Sequence, residues 1–206
     1  MKLAVFDFDS TLMDGETIDF LAEPLGLKNK VSAITEMAMR GELDFFESLI
    51  MRVKLLEGLE VKKVNEICHN LPYMPGAEET IKALKKDGVK VVVFSGGFRN
   101  ATSYAKKILG FDADFSNTLH SKNGILTGLV GGEMMFSHSK GDMLKRIQEI
   151  LGITSEETMA VGDGANDLSM FKYAKTKVAF CAKEVLKKEA NIIIEEKDLT
   201  KILEFI

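Results

Sequence analysis

Short, continuous apolar runs alternate with helical patterns along most of the chain. The runs are KLAVFDF, VKVVVFSGG, TMAVGDG, KVAFCAK and NIIIE, and unbroken apolar strands of this kind are typical of a parallel sheet that is covered on both faces. Between them lie GAEETIKALKKDG, FRNATSYAKKILG and KGDMLKRIQEILG, in which apolar residues recur at helical spacing and a glycine follows the last turn (Gly88, Gly110 and Gly152). The pattern predicts an α/β fold with a doubly wound parallel sheet.

Two stretches depart from this alternation. Residues 16–72 contain no convincing strand and show the periodicity of about four helices, which predicts a helical cap inserted after the first strand. The segment LHSKNGILTGLV contains Asn123-Gly124, a strong signal for a two-residue hairpin turn. We therefore expect a catalytic core of residues 1–15 and 73–206, a small helical cap of residues 16–72 and a short β-hairpin.

The composition is that of an ordinary globular protein. Of the 206 residues, 46% are hydrophobic and 28% are charged, which is enough to bury a core in one domain that carries an insertion. A net charge of −4 without a Lys/Arg cluster predicts no nucleic-acid partner and no membrane surface. The two cysteines, Cys68 and Cys181, are too few for a disulfide framework, so we expect a cytoplasmic protein. Asp7 follows residue 1 so closely that we expect neither a signal peptide nor an N-terminal regulatory domain.

Two carboxylates, Asp7 and Asp9, stand two positions apart at the end of the first predicted strand. In an extended segment such residues point to the same side, so their negative charges repel each other. A cation between the two carboxylates, or a proton on one of them, relieves this repulsion. Either arrangement indicates a functional site, whereas the alternative for this motif alone is a turn after an edge strand.

Ligands of open α/β sheets bind beyond the carboxyl ends of the strands. The first predicted strand ends at Asp7, Asp9, Ser10 and Thr11, the second at Ser95, Gly96 and Gly97, and a later one at Asp163, Asn166 and Asp167. Lys140 stands at the start of the helix before this later strand. This set matches a phosphoryl group with a divalent cation: Asp7 and Asp163 suit Mg²⁺, and Ser95 and Lys140 suit phosphoryl oxygens. A carboxylate nucleophile would then attack phosphorus, with Asp9 as the acid that protonates the leaving group.

Each of these elements taken alone has a simpler explanation. Ser95-Gly96-Gly97 alone is more often a loop, and Lys140 alone is a solvated lysine at the start of a helix. Asp167 alone could support the helix that follows it. Their combination and order favour a site.

DFDSTL, SGG, Lys140 and GDGANDLSMF together resemble the four motifs of the haloacid dehalogenase superfamily. Within it, GETIDF, GELDFFESLIMRV and the chain length resemble the phosphoserine phosphatases. The resemblance implies a strand order of 5-4-1-2-3, Mg²⁺ dependence, Asp7 as nucleophile and Asp9 as general acid and base. It implies metal contacts from Asp7, the backbone carbonyl of Asp9, and Asp163. It also implies a phosphate loop at Ser95 and Gly96, substrate contacts from Lys140 and Asn166, and support from Thr11, Gly97 and Asp167.

The predicted cap contains a set of residues that suits an amino-acid head group. Phe45, Leu49 and Arg52 fall on one helix face, and Glu16 directly follows the catalytic loop. Glu16 suits an ammonium group and the planar fork of Arg52 suits a carboxylate, although surface charges and a cap-core phenylalanine are the alternative. The resemblance places Glu16, Phe45 and Arg52 in the substrate pocket, which implies a small phosphoamino acid, phosphoserine, as the substrate.

Two classes of function stay open. The first is a Mg²⁺-dependent phosphoserine phosphatase of serine biosynthesis that acts through an aspartyl-phosphate. A variant of this hypothesis is a related phosphatase that uses another small phosphomonoester, or a phosphotransferase that passes the phosphoryl group to an alcohol such as homoserine. The second is a non-enzymatic phospho-acceptor switch that resembles a response-regulator receiver. Asp9 and the cap favour an enzyme, because a receiver needs neither an adjacent acid nor a 57-residue insertion. A monomer and a homodimer are both compatible with the sequence.

Overall fold

The computed structural model describes residues 1–39 and 42–206. Within these ranges seven strands form one sheet: β1 (Leu3–Asp7), β2 (Lys90–Phe98), β3 (Ala113–Lys122), β4 (Ile125–Gly132), β5 (Thr158–Gly162), β6 (Thr176–Phe180) and β7 (Ile192–Ile194). Their order is β4-β3-β2-β1-β5-β6-β7, and every neighbouring pair is parallel except β3 and β4. The five strands β6, β5, β1, β2 and β3 follow the predicted order 5-4-1-2-3, and β7 and β4 extend the sheet at its two edges.

The predicted hairpin joins β3 and β4. Asn123 and Gly124 form its turn with φ angles of 51° and 78°, the left-handed conformation that a type I′ turn requires. The first half of β3 pairs in parallel with β2, from Val92 opposite Ala113 to Ser95 opposite Ser116. The apolar pattern does not predict this parallel half, because its residues alternate in polarity and are mostly only half-buried.

Helices cover both faces of the sheet. In the described ranges they are α1 (Thr17–Ala22), α2 (Lys28–Met39), α3 (Phe45–Lys54), α4 (Val61–Cys68), α5 (Ala77–Lys86), α6 (Arg99–Leu109), α7 (Ser139–Leu151), α8 (Leu168–Phe171) and α9 (Glu184–Lys187). Gly110 and Gly152 end α6 and α7 in the left-handed conformation, as predicted. Every described helix is too short or too polar to span a bilayer.

The central strand β1 has no solvent-exposed face. Ala4 and Phe6 belong to a core cluster that includes side chains of α5 and α6, whereas Leu3 and Val5 belong to a second cluster with side chains of α7 and α8. All five residues of β1 are buried. The unbroken apolar run that predicts this strand therefore reflects burial on both sides.

The four helices α1 to α4, called the inserted helices below, lie between β1 and α5. They agree with the prediction of about four helices, while the domain boundaries at residues 16 and 72 stay a prediction. The turn between α3 and α4 is hydrogen-bonded to the hairpin, because Gly58 N–H donates to the Leu126 carbonyl (2.9 Å) and Val61 N–H donates to the Gly124 carbonyl (2.8 Å). Asp44 caps α3 by accepting from Glu47 N–H at 2.7 Å.

Candidate active site

A cavity of about 320 Å³ opens between the carboxyl edge of the sheet and the inserted helices. It brings together nine of the predicted site residues, namely Asp7, Asp9, Glu16, Phe45, Arg52, Gly96, Gly97, Asp163 and Asn166. The other four, Thr11, Ser95, Lys140 and Asp167, are buried and do not line the cavity. The Thr11 hydroxyl has no hydrogen-bond partner among the described residues. Nine of the predicted residues therefore line the cavity, and the other four form a buried layer behind this lining.

Asp7 is held at the end of β1 by a buried lysine. Its Oδ1 accepts from Phe8 N–H at 2.7 Å and from the Lys140 ammonium at 2.7 Å, and the same ammonium lies 2.6 Å from Asp167. Burial raises the pKa of Asp7 well above its usual value, with further contributions from the negative charges of Asp167 and Asp163. Burial lowers the pKa of Lys140, but the two carboxylates outweigh it and the pKa is raised overall. Lys140 is therefore a permanent positive charge behind Asp7.

The loop after β5 is built around Asp167. The backbone N–H groups of Asp163 and Gly164 both donate to Asp167 Oδ2 at 3.0 Å. Gly162 permits this arrangement, because a Cβ at that position would collide with the Asp167 carboxylate. Burial raises the pKa of Asp163 to about 7, and the charge of Asp167 adds to the rise.

Carboxylate oxygens of Asp7, Asp163 and Asp167 all lie within 4.8 Å of one another. Carboxylates this close to each other repel, which is one cause of the raised pKa values of Asp7 and Asp163. Several convergent oxygen atoms with negative charge are the donor set that a hard divalent cation prefers. The acidic cluster therefore fits a metal ion.

Asp9 is oriented by three hydrogen bonds. Its Oδ1 accepts from the backbone N–H of Thr17 at 2.6 Å and from the Thr17 hydroxyl at 2.5 Å. Its Oδ2 accepts from the Ser95 hydroxyl at 2.9 Å, and that hydroxyl in turn accepts from Gly97 N–H at 2.8 Å. A Cβ on Gly97 would lie 2.6 Å from Asp9 Oδ2, so glycine allows this close approach. Ser95 is predicted to hold phosphoryl oxygens; in this structure its hydroxyl donates to Asp9, so a phosphoryl contact would replace this hydrogen bond.

The start of α3 closes one side of the cavity. The Phe45 ring packs on Gly96, where a Cβ would lie only 2.9 Å from its Cζ. The neighbouring Phe46 stacks on Phe136 with a centroid distance of 5.2 Å, and Ser137 beside it lines the cavity. These contacts join the inserted helices to β2 and to the loop between β4 and α7 at the rim of the cavity.

Glu16 and Arg52 face the cavity from the side of the inserted helices. The Ser10 hydroxyl donates to Glu16 at 2.9 Å, and burial raises the pKa of Glu16 to about 8, assisted by the charges of Asp9 and Asp163. Burial lowers the pKa of Arg52, whose Nε donates to the Ser48 carbonyl at 3.2 Å. Within the described part of the chain neither side chain forms an ion pair. A half-buried carboxylate and a half-buried guanidinium are thus both available to a ligand.

Two residues of this region, Asn117 and Lys183, are not among those predicted from the sequence. Asn117 is fully buried; its amide donates to the carbonyls of Gly96 (3.0 Å) and Met134 (3.1 Å) and accepts from Met134 N–H (3.0 Å). Nothing in its polar surroundings in β3 indicates burial. Lys183 lines the cavity just after β6, and the strand-end rule that selects Asp7 would also have selected it.

The comparisons with known proteins agree with this arrangement. The model of the haloacid dehalogenase-like hydrolase family matches residues 1–175. A phosphoserine phosphatase of Wolinella succinogenes is 64% identical over 203 residues, which are 98% of each chain. Two solved structures, a phospho-aspartyl intermediate analogue of phosphoserine phosphatase and a substrate-bound phosphoserine phosphatase complex, are each 50% identical to this chain. In both comparisons the match covers 100% of this chain and 98% of the solved chain, and the TM-score is 0.95.

Proposed function

Because the chain belongs to the haloacid dehalogenase-like hydrolase family, we propose that it is a phosphoserine phosphatase, which hydrolyses O-phospho-L-serine to L-serine and phosphate. One observation carries this proposal: a single cavity joins the Asp7 and Asp9 pair to Glu16 and Arg52. The first pair suits phosphoryl transfer, and the second suits the ammonium and carboxylate groups of an amino acid. A substrate that contains both a phosphomonoester and an amino-acid head group can interact with all four residues.

Asp7 is the nucleophile of the proposed reaction. Both of its protein donors, Phe8 N–H and Lys140, bind Oδ1, so Oδ2 has no partner among the described residues. A carboxylate oxygen of Asp7 forms a bond to phosphorus as the bond between phosphorus and the serine oxygen breaks. Asp9 donates a proton to the departing serine oxygen. Asp9 then takes a proton from a water molecule, which attacks phosphorus, releases phosphate and restores Asp7.

The acidic cluster supports Mg²⁺ as the cofactor. Asp7 and Asp163 would hold the ion with their carboxylates, and Asp9 would hold it with its backbone carbonyl, while Asp167 keeps Asp163 and Lys140 in place. When bound, Mg²⁺ supplies positive charge that stabilises the transferring phosphoryl group. Lys140 contributes a second positive charge from within the protein.

The proposed phosphate contacts come from the end of β2, the start of α7 and the loop after β5. We assign phosphoryl oxygens to Ser95, the backbone of Gly96, Lys140 and Asn166, with Thr11 and Gly97 as supporting residues. Asn117 fixes the carbonyl of Gly96 and thereby the orientation of this loop. Hydrogen bonds from a preorganised loop act without reorganisation during the reaction.

The head-group contacts come from the inserted helices and the loop before them. A substrate ammonium beside Glu16 favours the charged form of this carboxylate, whose burial otherwise raises its pKa to about 8. A substrate carboxylate binds the Arg52 guanidinium in its two-pronged geometry. Phe45 packs over Gly96 and shields the reacting group from water, so the predicted cap of residues 16–72 is the substrate-reading part of the enzyme.

The proposed reaction takes place in the cytoplasm. Cys68 and Cys181 are both free thiols, which suits a reducing compartment. We propose small phosphoamino acids as partners, and no nucleic acid or membrane.

Phosphate release from a panel of phosphomonoesters tests the proposal. The purified protein with Mg²⁺ should show its highest kcat/KM with phosphoserine, a lower value with phosphoethanolamine, which lacks the carboxylate, and a lower one with glycerol phosphate, which lacks both head-group charges. Equal values for all three would contradict the proposed substrate. Addition of homoserine distinguishes hydrolysis from transfer, because a transferase would form phosphohomoserine in place of free phosphate.

A further inference from the structure

The lining of the active-site cavity has more acidic than basic side chains. Four carboxylates line it (Asp7, Asp9, Glu16 and Asp163), against two cationic side chains from the described residues, Arg52 and Lys183. The substrate of the proposed reaction is itself an anion, since a phosphomonoester carries two negative charges near neutral pH. Each positive charge on the lining therefore affects how readily the substrate enters.

Lys183 is the lining cation for which the proposed reaction has no role. Its backbone N–H donates to the Asp163 carbonyl at 2.8 Å, which fixes the residue beside the acidic cluster. Its side chain is exposed and forms no ion pair with any residue that the structure describes. Lys140, by contrast, is buried and shared between two carboxylates. Lys183 is thus an uncompensated positive charge at the solvent side of the cavity.

The charge of Lys183 reaches Glu16 on the cavity lining. Burial raises the pKa of Glu16, and the Lys183 ammonium acts against this rise. The Lys183 charge therefore acts at the part of the cavity where an incoming anion meets Glu16.

We infer that Lys183 is a substrate-recruiting residue, whose ammonium attracts the phosphomonoester dianion to the solvent side of the cavity. The inference rests on the proposed phosphatase function, but it does not depend on the amino-acid head group. A charge at the rim of a binding site acts on the association rate and on its salt dependence. Lys183 should therefore influence kcat/KM and leave kcat unchanged.

The experiment compares Lys183→Met with Lys183→Arg at saturating Mg²⁺. Lys183→Met should lower kcat/KM for phosphoserine by about 3- to 10-fold at low ionic strength, since it removes one charge from the steering field. p-Nitrophenyl phosphate should show the same loss, because both substrates carry two net negative charges. Phosphoethanolamine, with one, should show a smaller loss. The loss should shrink as ionic strength rises from about 0.01 M to about 0.15 M, where the screening length falls from about 30 Å to about 8 Å.

Two controls isolate the position of the charge. Lys183→Arg keeps it and should retain most of the wild-type kcat/KM. Lys86→Met removes the same charge from an exposed site at the end of α5, from which the chain leads to the amino end of β2. This variant should have the wild-type kcat/KM.

Three results would overturn the inference: an unchanged kcat/KM in Lys183→Met, a fall in kcat that salt does not alter, or a loss confined to phosphoserine. The last would assign Lys183 to the head group. If the wild-type protein hydrolyses p-nitrophenyl phosphate but not phosphoserine, the proposed substrate is wrong and Lys183 is judged on p-nitrophenyl phosphate alone.

Discussion

The Lys140 ammonium nitrogen lies 2.7 Å from Oδ1 of Asp7, and both side chains are buried. Lys140 lies in the first turn of α7 and Asp7 ends the central strand, so the contact exists only because the fold brings α7 to the carboxyl edge of β1. The contact occupies one oxygen of Asp7 and places a positive charge behind it. This arrangement suits Asp7 to the role of nucleophile that we propose, and the role can be tested by substitution of Asp7.

Asp7→Asn should lower phosphate release from phosphoserine by at least about 10³-fold, because an amide is a poor nucleophile and a poor ligand for Mg²⁺. Lys140 keeps its second partner, Asp167, so the variant should remain folded, with an unchanged circular dichroism spectrum. Asp87→Asn, an exposed substitution at the end of α5, is the matched control and should keep full activity. Appreciable turnover by Asp7→Asn would exclude Asp7 as the nucleophile.

Asp9→Asn should lower kcat by about 10²- to 10⁴-fold with little change in KM, because it removes proton transfer and keeps the shape of the side chain. The amide oxygen can still accept from the backbone and hydroxyl of Thr17. The loss should be smaller with p-nitrophenyl phosphate, because p-nitrophenolate departs without a proton. A large rise in the Mg²⁺ concentration needed for activity would instead assign the side chain of Asp9 to metal binding.

The sequence predicts the fold where burial is two-sided. β1, β2, β5 and β6 are visible as apolar runs, because strands covered on both faces need apolar side chains at most positions. β7 is also an apolar run, although it lies at the edge of the sheet with Ile193 exposed. The first half of β3 is not visible, because its half-buried, mixed residues obtain their partners only when β2 lies beside them. Local pattern cannot predict a strand that tertiary pairing stabilises.

The site was predictable to the extent that it stands at strand ends. Asp7, Asp9 and Asp163 follow apolar runs and are visible at once, and the structure brings them to one cavity. Asn117 was not predictable, because its partners Gly96 and Met134 are distant in sequence and its neighbours are polar. The sequence also does not reveal that the Ser95 hydroxyl binds Asp9.

Asn117→Ala should lower the free energy of unfolding by about 3 kcal/mol, because it removes three buried hydrogen bonds and leaves their partners without a substitute. Urea denaturation measures this loss. Because Gly96 loses its anchor, KM should rise for phosphoserine and for p-nitrophenyl phosphate alike. Thr118→Ala, at the exposed neighbouring position, is the control and should change neither quantity. A stable variant with wild-type KM would remove Asn117 from the support of the phosphate loop.

EDTA should abolish activity and excess Mg²⁺ should restore it, because the acidic cluster needs a cation to bind a phosphate dianion. Ca²⁺ should restore little, since its larger and less regular coordination shell does not preserve the geometry of attack. Thermal unfolding provides a readout besides activity: Mg²⁺ should raise the melting temperature of the wild-type protein by relieving repulsion among the three carboxylates. In Asp163→Asn this rise should shrink. Full activity in EDTA would rule out a metal-dependent reaction.

Arg52→Ala tests the proposed substrate where it is most specific. If Arg52 binds the serine carboxylate, its loss leaves that carboxylate desolvated and unpaired, so KM for phosphoserine should rise by about 100-fold, which corresponds to about 2.7 kcal/mol. Arg52→Lys keeps the charge but offers only a point contact, so its KM should lie between those of the wild-type protein and the alanine variant.

The control for Arg52 is a substrate without a head group. p-Nitrophenyl phosphate uses Asp7, Asp9 and Lys140 but has no carboxylate for Arg52, so its kcat/KM should stay within about twofold of wild type in both variants. Equal losses on the two substrates would mean that Arg52 stabilises α3, whose Ser48 carbonyl it contacts, and does not read the amino acid. An unchanged KM for phosphoserine would remove the contact that distinguishes an amino-acid phosphate from other phosphomonoesters, because Glu16 alone recognises any substrate with an ammonium group.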